Sequence, residues 1–192
     1  MRKGEVFFLV RFRQDLVSAV MKTLAVRGHD EQLGNALSNP GNWHQSISDA
    51  LPGDAGSRAR LRALGARVRA PAFRLDLTRI CSRRGSDGAI QWSLRAREEK
   101  PKGLLALTEL LRVGIQAEGF GPQAGHTAHV TLSYRAPVEL VEAVRIVPIV
   151  LPVDEFELAE CRDRPYRYET IERWPLLPGT DPAHEQPGLF AL

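Results

Sequence analysis

Asn42-Trp43-His44-Gln45-Ser46-Ile47-Ser48 and Ala128-His129-Val130-Thr131-Leu132-Ser133 are written on one pattern. Each holds a histidine, a spacer, a small hydroxyl residue and an aliphatic one, and the second histidine follows the first by 85 positions. A β-strand turns successive side chains to opposite faces. As strands, these segments put His44, Ser46 and Ser48 on one face, and His129, Thr131 and Ser133 on another. Trp43, Ile47, Val130 and Leu132 then point the other way, into a core. Twice over, an imidazole and a hydroxyl are presented to a cleft from an apolar-backed support.

Working outward, hydrophobic periodicity supplies the remaining elements. Val6-Phe7-Phe8-Leu9-Val10 reads as a central strand, apolar on both faces. Residues 14–27 place Leu16, Val17, Val20 and Leu24 at helical spacing, with Gly28 as a stop. Residues 29–41, rich in Gly, Asn, Ser and Pro, read as a loop. A second helix starts at Ser57, and a third runs over 101–118 with Leu104, Leu107, Leu111 and Ile115 along one side. Residues 73–80 alternate apolar and polar side chains, and residues 89–96 return beside them after the turn Gly85-Ser86-Asp87-Gly88. Residues 144–151, 155–162 and 166–173 make three more strands. Pro148 and Pro152 mark the first of these as short or at a sheet edge.

Strand, helix and histidine strand thus follow one another twice, as an internal duplication would arrange them. The predicted fold class is α+β and bilobal. It has two pseudo-symmetric antiparallel sheets, helices on the outside, and a central cleft carrying both motifs. A single domain is expected over 1–177, followed by a Pro/Gly-rich tail over 178–192.

The bulk numbers agree with a globular protein of 192 residues. No apolar run reaches the ~20 residues of a membrane helix, and no secretory signal is evident. Cys81 and Cys161 form no C-x-x-C pair, so a cytoplasmic protein with free thiols, monomeric and away from membranes, is expected. The net charge of +3 comes from 22 arginines and four lysines. Codon bias accounts for that ratio, while arginine also suits bidentate grips on phosphate. Arg58, Arg60, Arg62, Arg67 and Arg69 read first as a solvated helix face. His126 and His129, three apart on a strand, face opposite sides with no carboxylate or thiol cluster, so neither a metal nor a cofactor is expected. His29 and His184 read as surface residues. Phe12, Tyr134 and Tyr168 are aromatic candidates for stacking on a base. No nucleotide-binding glycine loop and no serine-nucleophile elbow is present.

With these residues quoted, the chain resembles the two-histidine phosphoesterase superfamily, in its 2′-5′ RNA ligase branch. The resemblance rests on His44-Gln45-Ser46-Ile47 and His129-Val130-Thr131-Leu132 at family spacing. It extends to Val6-Phe7-Phe8-Leu9, to Phe73-Arg74-Leu75-Asp76-Leu77 and to the segment from Tyr168 to Leu176. The chain has Ser46 and Ile47 where Thr and Leu are usual, and Ala128 where proline is common. Tyr134 stands where many members carry an arginine, with Arg135 one position later. Both are candidate substrate contacts.

Two histidines on opposite sides of a phosphorus can divide the labour of opening a cyclic phosphate. One takes a proton from water and the other gives one to the departing ribose oxygen. Ser46 and Thr131 can donate to the non-bridging oxygens. The resemblance implies that His44 is the general acid and His129 the general base. It also implies a 2′,3′-cyclic phosphate substrate, on RNA ends or small nucleotides, a 2′-phosphate product, and 2′-5′ ligation as the reverse-type reaction. Two alternatives stand beside this. One is another cyclic phosphate, such as ADP-ribose 1″,2″-cyclic phosphate, suggested by Tyr134. The other is a non-catalytic module that holds a nucleotide or RNA end, suggested by the altered first motif.

Overall fold

The computed structural model describes residues 3–162 and 167–179. Eight strands form two four-stranded antiparallel sheets. The first sheet has the order β2-β1-β7-β8, from β1 (Val6–Arg11), β2 (His44–Ser46), β7 (Glu155–Cys161) and β8 (Tyr168–Pro175). The second has the order β5-β4-β3-β6, from β3 (Phe73–Arg84), β4 (Ile90–Ala96), β5 (His129–Ser133) and β6 (Val144–Val153). In each sheet the histidine strand lies at an edge. Its neighbour in the sheet is the strand that precedes it in the chain, across a helix: β1 with α1 (Gln14–Ala25) before β2, and β4 with α4 (Lys102–Ala117) before β5.

Burial follows the alternation read from the sequence. Val6, Phe8 and Val10 of β1, Trp92 and Leu94 of β4, and Val130 and Leu132 of β5 share one continuous core with Leu61 and Leu64 of α3 (Ala55–Arg67) and with the apolar side of α4. The helices therefore lie against one face of the sheets. Phe7, Leu9, Ala159, Cys161 and Tyr168, on the other face of the first sheet, form a small cluster of their own. Helices α3 and α4 approach closely where glycine permits it. A Cβ on Gly65 would meet the Trp174 ring at 2.5 Å, and one on Gly114 would collide with Leu64.

The structure departs from expectation in several places. The segment 29–41 is not simple loop: it holds the short helix α2 (His29–Leu33) and two 3₁₀ turns. Five residues without an apolar stripe carry no helical period to read. His29 is buried, not superficial. Its ring meets Trp92 edge-on at 5.2 Å, and Nδ1 lies 3.0 Å from Gln32 Oε1. Strand β6 is a full ten residues despite its two prolines, because it pairs on one side only, with β3. The tail over 178–192, including His184, falls almost wholly outside the described residues.

Candidate active site

The two histidine strands meet at the seam between the sheets. Gln45 makes the join. As the spacer between His44 and Ser46 it points away from them and is fully buried. Its Oε1 accepts from His129 N at 2.6 Å, and its Nε2 donates to Thr127 O at 3.1 Å and to Ser46 O at 2.8 Å. One amide from the first motif thus caps the backbone of the second. Ser38 adds to the join, its backbone N and its Oγ both donating to Leu132 O.

Both imidazoles are oriented in the same way. His44 Nδ1 lies 2.7 Å from Asn42 O, and His129 Nδ1 lies 2.9 Å from Thr127 O. In each case the partner is the carbonyl two residues back. A carbonyl oxygen only accepts, so Nδ1 carries the proton in both rings, and Nε2 is left as the lone pair of the neutral imidazole. His44 Nε2 is 3.1 Å from Ser46 Oγ, which donates to it. Thr131 Oγ1 accepts from Gln91 Nε2 at 3.1 Å, so its own hydroxyl proton remains available to an anion. Ser46, His129 and Thr131 are half-buried and reach solvent at the seam.

Register makes the two sites equivalent. Arg11 pairs with His44 across β1 and β2, and Arg95 pairs with His129 across β4 and β5. Leu9 faces Ser46 where Ser93 faces Thr131. The surroundings differ, however. His44 is only 8 % exposed and packs edge-on between Phe7 at 5.3 Å and Tyr168 at 4.9 Å. Burial pushes its pKa down to about 4. The Asn42 carbonyl opposes that shift, while the charges of Arg11 and His129 add to it. His129 is also held below the usual histidine value, first by burial, then by Arg95, His126 and Arg83, against the Thr127 carbonyl. Mutual electrostatic influence places the two rings in one field.

The sequence did not point to Gln45, Arg11, Arg95, Gln91 or Glu157. Pairing a strand histidine with an arginine on a non-consecutive position requires register, which no single-strand pattern carries. Glu157, 2 % exposed, grips Arg11, accepts from Thr170 Oγ1 at 3.0 Å and from Arg173 Nε at 3.0 Å.

Other predicted residues find different places. Tyr168 is buried against His44 and Phe12 against Trp43, so neither ring is open for stacking on a base. Tyr134 is 48 % exposed, and Arg135 is exposed with its N donating to Ser133 Oγ. Strand β5 ends at Ser133, so both follow the strand in a bend and strand alternation does not govern them. Ser48 and Ser133 are buried structural hydroxyls: Ser48 accepts from Phe8 N at 2.8 Å. The α3 arginines are largely engaged, Arg58 with Glu160, Arg62 with Glu172, and Arg67 with Glu118. His126 sits 3.5 Å from Asp49. Among the described residues no three His, Cys, Asp or Glu side chains gather as a metal site, and no helix is long and apolar enough to cross a membrane.

No protein-family model matches the sequence, and no curated protein does. Solved structures do match. Escherichia coli LigT in its apo form superposes with a TM-score of 0.70 at 23 % identity, over 92 % of this chain and 99 % of LigT. A phosphoesterase matches with a TM-score of 0.70 at 20 % identity, over 91 % and 99 % of the two chains. TT0787 of Thermus thermophilus matches with 0.68 at 23 % identity, over 92 % and 99 %. LigT is also known in complexes with phosphate and with 3′-AMP. The likeness is one of fold, and it is the fold that the resemblance to two-histidine phosphoesterases implied.

Proposed function

We propose that this chain is a two-histidine phosphoesterase that opens 2′,3′-cyclic phosphates to 2′-phosphates, on RNA ends or small nucleotides. One observation carries the reading: two imidazoles, each with Nδ1–H tied to the carbonyl two residues back and a hydroxyl two residues ahead, meet at one seam from equivalent positions of two sheets. The fold shared with LigT, which binds phosphate and 3′-AMP, supports the same chemistry.

In the proposed step water attacks phosphorus as the bond from phosphorus to the 3′ oxygen breaks. His129 Nε2 takes the proton from water, and His44 Nε2 gives one to the 3′ oxygen. The balance is one water consumed and one 2′-phosphomonoester formed, with the two histidines exchanging protonation states. His129 suits the base role because it is the more open ring and because Arg95 and Arg83 favour its neutral form. His44 must be protonated to act as the acid, and burial resists that in the free protein. The substrate's own negative charge supplies the compensation, so the proton enters with the anion. Phosphate binding should then take up a proton and strengthen as pH falls from 8 toward 6. Ser46 and Thr131 would hold the non-bridging oxygens, and Tyr134 and Arg135 lie beyond the strand end as candidate contacts to the nucleoside.

The test is hydrolysis of an oligonucleotide bearing a 2′,3′-cyclic phosphate, in EDTA, with the product's phosphate position determined. Turnover to the 2′-phosphate that is lost in both H44A and H129A supports the proposal. Full activity in either variant overturns the two-histidine mechanism. Binding of 2′-AMP with no turnover of any cyclic phosphate would favour the non-catalytic module. Preference for ADP-ribose 1″,2″-cyclic phosphate would move the substrate and keep the mechanism.

A further inference from the structure

Across the second sheet, in register with His129, runs a line of arginines. Arg95 pairs with His129, Arg79 with Arg95, and Arg145 with Arg79, one on each successive strand from β5 to β6. Residues directly opposite in antiparallel strands project to the same face. The opposite face of this sheet holds Ile80, Leu94 and Val130 in the core, so the arginines lie on the face that bears His129 and Thr131. At a strand spacing of ~4.8 Å the line extends about 14 Å from the histidine.

Like charges directly opposite repel, so this line needs an anion. The chain supplies little. Glu99 stands 4.0 Å from Arg79, and Asp76 is engaged by Arg74. Arg95, Arg145 and the nearby Arg97 and Arg83 have no carboxylate partner among the described residues, and Arg79 Nε is buried without a hydrogen-bond partner among them. Arg79, Arg97 and Arg145 also line a surface cavity of about 420 Å³ with Thr78. The equivalent arginine of the first sheet, Arg11, is neutralised by buried Glu157.

Resting on the reading of the seam as a cyclic-phosphate site, we propose that this line is the track of a single-stranded RNA chain. The terminal cyclic phosphate sits between His44 and His129, and the phosphodiesters on its 5′ side run outward over Arg95, Arg79 and Arg145. The chain leaves over the second sheet, and the first sheet contacts the terminus alone. A line of separated, uncompensated guanidinium groups matches a succession of phosphates better than one mononucleotide. The natural substrate is accordingly an oligonucleotide.

The experiment compares a mononucleoside 2′,3′-cyclic phosphate with single-stranded oligoribonucleotides of two to eight residues ending in the same group, in wild type and in R79Q/R145Q. In wild type, kcat/KM should climb with length over the first few nucleotides, by about tenfold, and fall with salt with a slope that steepens by ~0.7 per added phosphate contact. In R79Q/R145Q the oligonucleotide-to-mononucleotide ratio should drop toward one and the salt slope should flatten by about one. A wild-type ratio of one, or a ratio unchanged in the variant, overturns the track. If no cyclic phosphate is hydrolysed, the functional reading fails separately. The track is then judged by fluorescence anisotropy with 2′-phosphate-ended RNA, where affinity that rises with length in wild type alone supports it and length-independent affinity overturns it. Equal competition by inorganic polyphosphate of matched charge would reduce the face to a general anion surface and overturn the assignment to RNA.

Discussion

Arg11 beside His44 and Arg95 beside His129 occupy equivalent places in the two sheets, yet their charges are treated in opposite ways. In the first sheet a buried carboxylate, Glu157, closes on Arg11, and Phe7 and Tyr168 pack around the imidazole. In the second sheet Arg95 stays open beside Arg79 and Arg83, and the imidazole is half-buried. A duplicated scaffold thus holds one dry histidine whose neighbouring charge is compensated and one wetter histidine in a positive field. The difference teaches how two chemically identical side chains can be given different proton-transfer roles. Backbone symmetry fixes where the rings are, and the partners of the flanking arginines set what each ring prefers to be.

The comparison breaks most sharply at the rings themselves. H44A and H129A should each lower kcat/KM on a cyclic-phosphate substrate by about 10³-fold, and the double variant should be little worse than either, because each proton transfer needs the other. Steady-state kinetics check this, and additive losses would show that the histidines act independently.

Acid separates the two sites next. The native state holds His44 near 4, while the unfolded chain titrates near ~6.5, so between those values the unfolded state binds more protons. Stability is therefore full above about pH 6.5 and falls as pH drops toward 4, by up to about 3 kcal/mol from this residue. Urea unfolding at pH 7 and pH 4.5 should show a smaller acid loss in H44Q than in wild type, and a smaller correction in H129Q, whose downward shift is the lesser. Equal corrections would erase the distinction between a dry and a wet ring.

Q45L tests the join between the motifs. It leaves His129 N and Thr127 O buried without their partner, at a cost of about 2 kcal/mol. Thermal unfolding should report that loss, and kcat should fall further than KM changes, since the two rings lose their relative placement.

The smallest expected effect sharpens the electrostatic argument. E157Q leaves Arg11 less compensated, which disfavours protonated His44. The pH–rate profile should move toward lower pH by less than about one unit, with the E157Q protein still folded by circular dichroism. An unmoved profile would confine Glu157 to holding Arg11 and Arg173 in place.

Much of this was legible in the chain. The period-two patterns from 44 to 48 and from 129 to 133, the apolar run 6–10 and the alternating 73–80 specify strands and their buried faces, because burial alone demands that alternation. The repeat of strand, helix and histidine strand announced two matching sheets. Helix α2 escaped because five residues leave no period, and His29 escaped because its burial comes from Trp92 on a distant strand. Tyr168 and Phe12 were read as free rings, since nothing local says which faces they meet.

By itself, then, the sequence determined which side chains alternate toward the core and which two imidazoles stand with a hydroxyl on the same face. Only the tertiary structure decided that Gln45 ties the motifs together, that Glu157 silences Arg11, and that Arg95, Arg79 and Arg145 fall into line. The reason is physical: alternation is a property of one strand, whereas charge compensation and register are properties of neighbours that the chain brings together from up to 146 positions apart.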